Sequence, residues 1–288
     1  MNLRSGFLAK PGRKVDLQSI DPASTGGYDD KASAAKKLER DIDRLRDLQS
    51  VLTADGSRAL LVIFQGMDGA GKDGAITHVM SGMNPQGVEV TSFRQPSIEE
   101  LRHDYLWRCV QAMPERGRIG IFNRSYYEDV LVTRVHIDLI GDALPEGRAA
   151  QDRFWRHRYD DINSFERYLS RNGTRVVKFF LHISKDEQRQ RLLARLKDRK
   201  KQWKFSATDV QQRAYWQKYR AAYEMMLSAT STPWAPWYVI PSDHKWFTRV
   251  VVADILVNRL TALHLSYPKL AADLRSKLHS LRAELARP

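Results

Sequence analysis

The sequence predicts an α/β fold of three layers, a parallel sheet with helices on both faces. Three observations predict it. Apolar stretches of strand length alternate with helical periods along the chain. The first of them, "ALLVIF", is continuous rather than alternating, as suits a parallel strand buried on both faces. It runs directly into "QGMDGAGKDG", a G-x-x-x-x-G-K spacing that requires a strand before it and a helix after it.

The elements follow in order. Residues 1–30 carry scattered Gly, Pro and Ser without a sustained period, and are expected to form an arm that lies on the body or is exchanged with a neighbour. Residues 31–288 are expected to form a single domain. Leu38, Ile42, Leu45, Leu48 and Leu52 recur every three or four residues, the period of an amphipathic helix from Asp30 to about Leu52. The turn "TADGS" ends it and "RALLVIFQ" is the first strand. Beyond the glycine loop, "GAITHVMSGM" reads as helix, "GVEVTSF" as strand, "SIEELRHDYLWRCVQAM" as helix and "RIGIFN" as strand. A long helical stretch then runs from about Tyr126 to Tyr168, broken at Gly141 to Pro145. "TRVVKFFLHIS" is a further strand and "KDEQRQRLLARL" a helix, with Asp186 and Glu187 at the end where carboxylates meet the positive helix dipole. "WYVIPS" is the last strand, and the apolar helical stretch "VVVADILVNRLTALHL" offers, with the arm, surface for self-association.

Composition narrows the partners. A formal net charge of +13 over 288 residues favours polyanions such as phosphates. Apolar runs fall far short of the roughly 20 residues of a membrane span, and no charged segment followed by an apolar core and a cleavage site opens the chain. Cys109 is the one cysteine, which excludes an internal disulfide. The expected compartment is the cytoplasm. The histidines are dispersed without the spacing of a metal site or a nucleophile.

The glycine loop carries the chemistry. Gly69, Ala70 and Gly71 turn backbone N–H groups onto phosphate oxygens, the following helix adds its dipole, and Lys72 supplies a point charge. Asp73 occupies the place where a hydroxyl usually ligates Mg²⁺ between phosphates. A carboxylate aimed at polyphosphate repels it unless a cation intervenes, so Asp68 is the favoured metal ligand. Asp73 either borders the phosphates or caps the helix. At the end of "RIGIFN", Asn123 stands where such folds usually present an acid. The acids come one turn later, as Glu128 and Asp129, and a helix starting near Ser125 would place both on its first turn, facing the loop. Arg124 is poorly suited to a core and well suited to phosphate. Residues 189–204 are dense in Lys and Arg, with Asp198 as the one acid. A lid at about 195–215 would bring Arg195, Arg199, Lys204 and Arg213 over the phosphates.

These motifs together give a resemblance. "FQGMDGAGKDGAI", "NPQGVEVTSFRQPSIEELRHDYLWR", "IFNRSYYEDVLVTRV", "KFFLHISKDEQRQRL" and "WKFSATD" resemble, in order and from about residue 10 to 267, the polyphosphate kinase 2 family. The resemblance implies a thymidylate-kinase-like P-loop kinase fold and reversible phosphoryl exchange between inorganic polyphosphate and adenine nucleotides, with guanine nucleotides as a further purine class. It implies Mg²⁺, with Mn²⁺ as a substitute, and a homodimer or homotetramer. Carried over by motif, Asp68 and Lys72 are the loop acid and lysine and Asp129 is the second acid, so the expected metal ligands are Asp68 and Asp129. The resemblance to nucleoside monophosphate kinases places "SFRQPS", and Arg94 within it, beside the acceptor nucleotide. Asn123 with Glu128 resembles the subgroup, usually called class III, that accepts both AMP and ADP, in place of the D-R-S-W-Y-N-R of many members. An ATP-dependent nucleoside monophosphate kinase is the alternative reading, and it explains the charge less well. A nucleic-acid-binding P-loop NTPase satisfies the charge, but the chain has no recognition motif for that role.

Overall fold

In a computed structural model, the described residues are 6–28, 31–141, 144–200, 202–204 and 207–287. Among these residues, five strands pair in parallel in one sheet of order β2-β3-β1-β4-β5: β1 (Ala59–Gln65), β2 (Val88–Ser92), β3 (Ile119–Asn123), β4 (Thr174–His182) and β5 (Trp237–Pro241). Every residue of β1 is buried, as its unbroken apolar run requires at the centre of a sheet covered on both faces. Its connection leaves toward β2, whereas the connection after β4 leaves toward β5. The two diverge at the carboxyl ends of adjacent strands, the position where open α/β sheets form a crevice.

On one face, α1 (Lys31–Asp55) packs beside α9 (Lys245–Thr261). Leu45 and Leu52 of α1 are buried, while Leu38 and Leu48 pack at the margin of the same core. The stretch expected to serve self-association is largely interior: Val250, Val251, Val252, Ile255 and Leu256 of α9 are buried. Every apolar side chain so committed is lost to an interface. The leucines of α10 (Ala272–Leu285), by contrast, stay exposed. The other face carries α4 (Glu128–Val135), α5 (Arg148–Arg171) and α8 (Trp216–Thr230), with Tyr126, Ile162, Met226 and Trp237 among its buried side chains.

The described part of the arm lies along the β5 edge. Leu8 bridges Tyr238 in antiparallel sense and the Ala9 N–H bonds the Trp237 carbonyl at 3.0 Å. Further along, His182 Nε2 meets the Ile20 carbonyl at 3.1 Å, and Leu17 is buried.

The helix expected over "SIEELRHDYLWRCVQAM" is mostly absent. The structure has a 3-10 turn, Glu100–Arg102, and a single α turn, α3 (Trp107–Val110). Ser97 and Glu100 cap one another, and Asp104 Oδ1 accepts the Leu106 N–H at 2.9 Å. Side chains that satisfy local backbone groups in this way favour turns over a continuing helix. No described helix is long and apolar enough to cross a membrane.

Candidate active site

The glycine loop joins β1 to α2 (Lys72–Val79). Gly66 takes φ +156°, and a Cβ there would sit 2.8 Å from the Leu181 carbonyl oxygen, so the loop passes closer to β4 than any side chain permits. Gly71 caps α2 in the left-handed region, at φ 102°. Lys72 folds back over the loop and donates to the Gly66 carbonyl at 2.6 Å. Burial, then the nearby Arg124 charge, push its pKa down to about 8, against the opposing pull of Asp68, Glu128 and Asp73.

A residue that the charge run concealed holds this loop open. Arg191, buried on α6 (Lys185–Lys197), donates to the carbonyls of Gly69 and Ala70 at 3.0 Å each. It also donates to Ser242 and Asp243 carbonyls at 2.5 and 2.9 Å and to Glu187 at 2.7 Å. With those carbonyls drawn toward the guanidinium, the loop N–H groups are left to serve an anion. Gln188, also on α6, bonds the Asp68 carbonyl at 2.7 Å and receives Arg213 at 2.7 Å. Arg213 thus braces the loop from behind through Gln188.

The segment after β3 supplies the opposite wall. Arg124 is a non-glycine residue at φ 66°, and its N–H reaches back to the Phe64 carbonyl at 3.0 Å. That turn aims its guanidinium at Asp68, 2.7 Å away, with Glu128 at 3.7 Å. Asn123 donates to Asp73 at 2.8 Å, which gives Asp73 a structural partner across the crevice. The helix begins at Glu128 rather than near Ser125, yet Glu128 and Asp129 do lie on its first turn. They face different neighbours. Glu128 turns to Arg124, whereas the charges that act on Asp129 are Arg158, Arg108 and Glu128, and burial raises its pKa to about 6.

A fully buried network fixes this segment. Tyr126 and Tyr127 each donate to Glu166 Oε1 at 2.8 Å, and Lys178 donates to Glu166 Oε2 at 2.6 Å, to the Tyr127 hydroxyl at 2.8 Å and to the Thr230 carbonyl at 2.8 Å. Lys178 in the middle of an apolar strand was the visible sign of it in the sequence.

The loop opens into a cavity of about 1150 Å³. Asp68, Gly69, Ala70, Gly71, Lys72, Asp73, Arg94, Asn123, Arg124 and Arg195 all line it. Arg199 is exposed and is not in its wall, and the Lys204 side chain lies outside the described residues. The cavity also has a wall that the motifs did not mark, Lys245, Thr248 and Arg249 of α9.

Among the described residues, no three His, Cys, Asp or Glu side chains cluster as a metal cage. Mg²⁺ in phosphoryl-transfer sites takes one or two carboxylates and completes its shell from phosphates and water. Of the carboxylates in the cavity wall, Asp73 is bonded by Asn123 and Glu187 by Arg191, and Asp68, within the phosphate loop, fits that donor set.

Comparison with known proteins agrees with this geometry. The family model described as polyphosphate kinase 2 matches residues 28–267. An ADP-polyphosphate phosphotransferase of Rhodopseudomonas palustris is 48% identical over 97% of both chains. An AMP/ADP-polyphosphate phosphotransferase of Meiothermus ruber is 44% identical over 91% of this chain and 95% of its own. The crystal structure of polyphosphate kinase 2 from Arthrobacter aurescens TC1 superposes with a TM-score of 0.85 at 42% identity, covering 96% of this chain and 98% of that one. A parallel sheet with a phosphate loop at its crevice, matched in sequence and in three dimensions over nearly its whole length, shows that this chain belongs to the polyphosphate kinase 2 family.

Proposed function

We propose that the protein is a polyphosphate-dependent nucleotide kinase that phosphorylates both ADP and AMP. The observation that carries the donor assignment is the charge of the cavity. Seven Lys and Arg line it against the carboxylates of Asp68, Asp73 and Glu187, and they come from both sides of the loop. A wall of that sign suits an extended anion.

The reaction is an in-line displacement. A terminal phosphate oxygen of the acceptor attacks the terminal phosphorus of the polymer, the bridging P–O bond breaks, and the shortened polymer leaves with the electron pair. Loop N–H groups and Lys72 stabilise the oxygens of the migrating group, and Arg124 adds charge from the β3 side. Asp68 would hold Mg²⁺, which when bound neutralises phosphate charge and aligns donor with acceptor. Arg195 on α6 borders the same space, where a closing lid excludes water. A nucleotide phosphate needs little help from a base, so no proton relay is required.

Glu128 supports the wider acceptor range. Its carboxylate sits beside Arg124, where it can hold water or a second cation when the shorter AMP leaves a phosphate position empty. Its two close relatives are named for ADP and for AMP/ADP. A product time course with AMP, polyphosphate and Mg²⁺, in material free of adenylate kinase, should show ADP rising and then ATP. Glu128→Asn should slow the AMP step more than the ADP step. Brisk reaction with ADP and none with AMP would reject the wider range.

A further inference from the structure

Arg191 leaves no N–H of its guanidinium unused. Nε bonds Glu187, Nη1 bonds the Gly69 and Ala70 carbonyls of the phosphate loop, and Nη2 bonds the Ser242 and Asp243 carbonyls. The guanidinium is a rigid planar fork, so it cannot keep one pair of carbonyls in place while the other pair moves. The turn of Ser242 and Asp243, directly after β5, is therefore a fixed reference for the loop. What holds the turn holds the loop.

Asp243 is where the fastenings of that turn converge. Its N–H donates to the Pro22 carbonyl of the arm at 3.0 Å, and its carbonyl receives Arg191 at 2.9 Å. Its Oδ1 accepts the Ser184 N–H at 2.8 Å. Ser184 caps α6, where its hydroxyl accepts the Glu187 N–H at 3.1 Å, and α6 carries Glu187, Gln188 and Arg191. The side chain of Asp243 thus fixes the start of the helix that bears Arg191, while its main chain fixes where Arg191 points. A carboxylate at that place also meets the positive end of the α6 dipole. The other residue of the turn offers no such anchor, since the Ser242 hydroxyl is buried without a hydrogen-bond partner among the described residues. Through Gln188 and the Asp68 carbonyl the same helix reaches the loop a second time. Asp243 itself is not in the cavity wall. Its effect on a bound anion has to pass through Arg191 and α6.

We propose that Asp243 is a positioning residue for phosphoryl transfer, which sets the phosphate loop in its anion-binding conformation by locking Arg191 between α6 and the turn after β5. The inference rests on the loop being the reacting position in the function proposed above. It is tested by steady-state kinetics with ADP and long-chain polyphosphate on Asp243→Ala, Asp243→Asn, Arg191→Lys and the double variant Asp243→Ala with Arg191→Lys, each also followed by urea unfolding. In Asp243→Ala, kcat should fall at least about tenfold while the KM of ADP changes less than about twofold, since a misplacement of about 1 Å can cost about 10²-fold in rate. Asp243→Asn keeps an oxygen for the Ser184 N–H and should recover most of that loss. Arg191→Lys keeps the charge but cannot fill the fork, and adding Asp243→Ala to it should lower kcat little further, because both changes break one unit. Wild-type kcat in Asp243→Ala overturns the role, as do losses that multiply in the double variant. A loss that follows the folded fraction and is not restored by Asp243→Asn overturns it too. A wild type inert toward polyphosphate sinks the functional reading and this inference with it, whereas a polymer-using wild type with an unaffected Asp243→Ala sinks the inference alone.

Discussion

Lys72 is the residue on which burial and function bear most directly. Its charge is disfavoured by the protein around it, with a pKa of about 8, and in the proposed mechanism it is needed when phosphate charge migrates. Below that pH the free enzyme carries the cation, and as pH rises through it the cation is lost. The kcat/KM profile should therefore decline above about 8, and the decline in kcat should come at higher pH because bound phosphate favours the charged form. Lys72→Ala should lower turnover by on the order of 10²-fold with the fold intact. Unchanged turnover would remove Lys72 from the reaction. At this scale the sequence showed Gly66 to Lys72 and Asp68 because their spacing is local. It did not separate Arg191 from Arg195 and Arg199, since a buried arginine bracing carbonyls and an exposed one look alike within a charge run. The bond from Asn123 to Asp73 was also hidden, because the parallel register of β1 and β3, not sequence distance, sets the two close.

Among the elements, the turn from β3 into α4 depends on support from behind. Arg124 holds a left-handed backbone, and the two tyrosines that follow it are anchored on the buried pair of Glu166 and Lys178. Removing one member leaves the other charge buried without compensation. Lys178→Met should cost about 3–5 kcal/mol in urea unfolding. Adding Glu166→Gln should cost less than the two single changes summed, with a coupling of about 1–3 kcal/mol. Additive losses would mean that the pair does not act as a unit. Strands β1, β3 and β4 were legible because burial on both faces leaves largely apolar runs, with Lys178 the one charged side chain inside β4's buried stretch. The helix read over residues 97–113 failed because its period was right while its caps were wrong: Ser97, Glu100 and Asp104 each give the backbone a local partner.

For the whole molecule, alternation of strand and helix disclosed the layers but not the strand order, which depends on where each crossover lands. That order is what gives the cavity two ends, with Arg94 beyond β2 and Lys245 and Arg249 beyond β5. The charge of +13 pointed to a polyanion without locating it, since a solvated face and a cavity wall have the same composition. With the basic cavity proposed as its place, the donor can be tested alone. Purified protein given ADP, long-chain polyphosphate and Mg²⁺, with no other phosphoryl donor, should form one ATP for each phosphate unit lost from the polymer, and chelation of the metal should stop both. ATP formation absent under these conditions, in a preparation that phosphorylates AMP from ATP, would contradict the account and leave an ordinary nucleoside monophosphate kinase in its place.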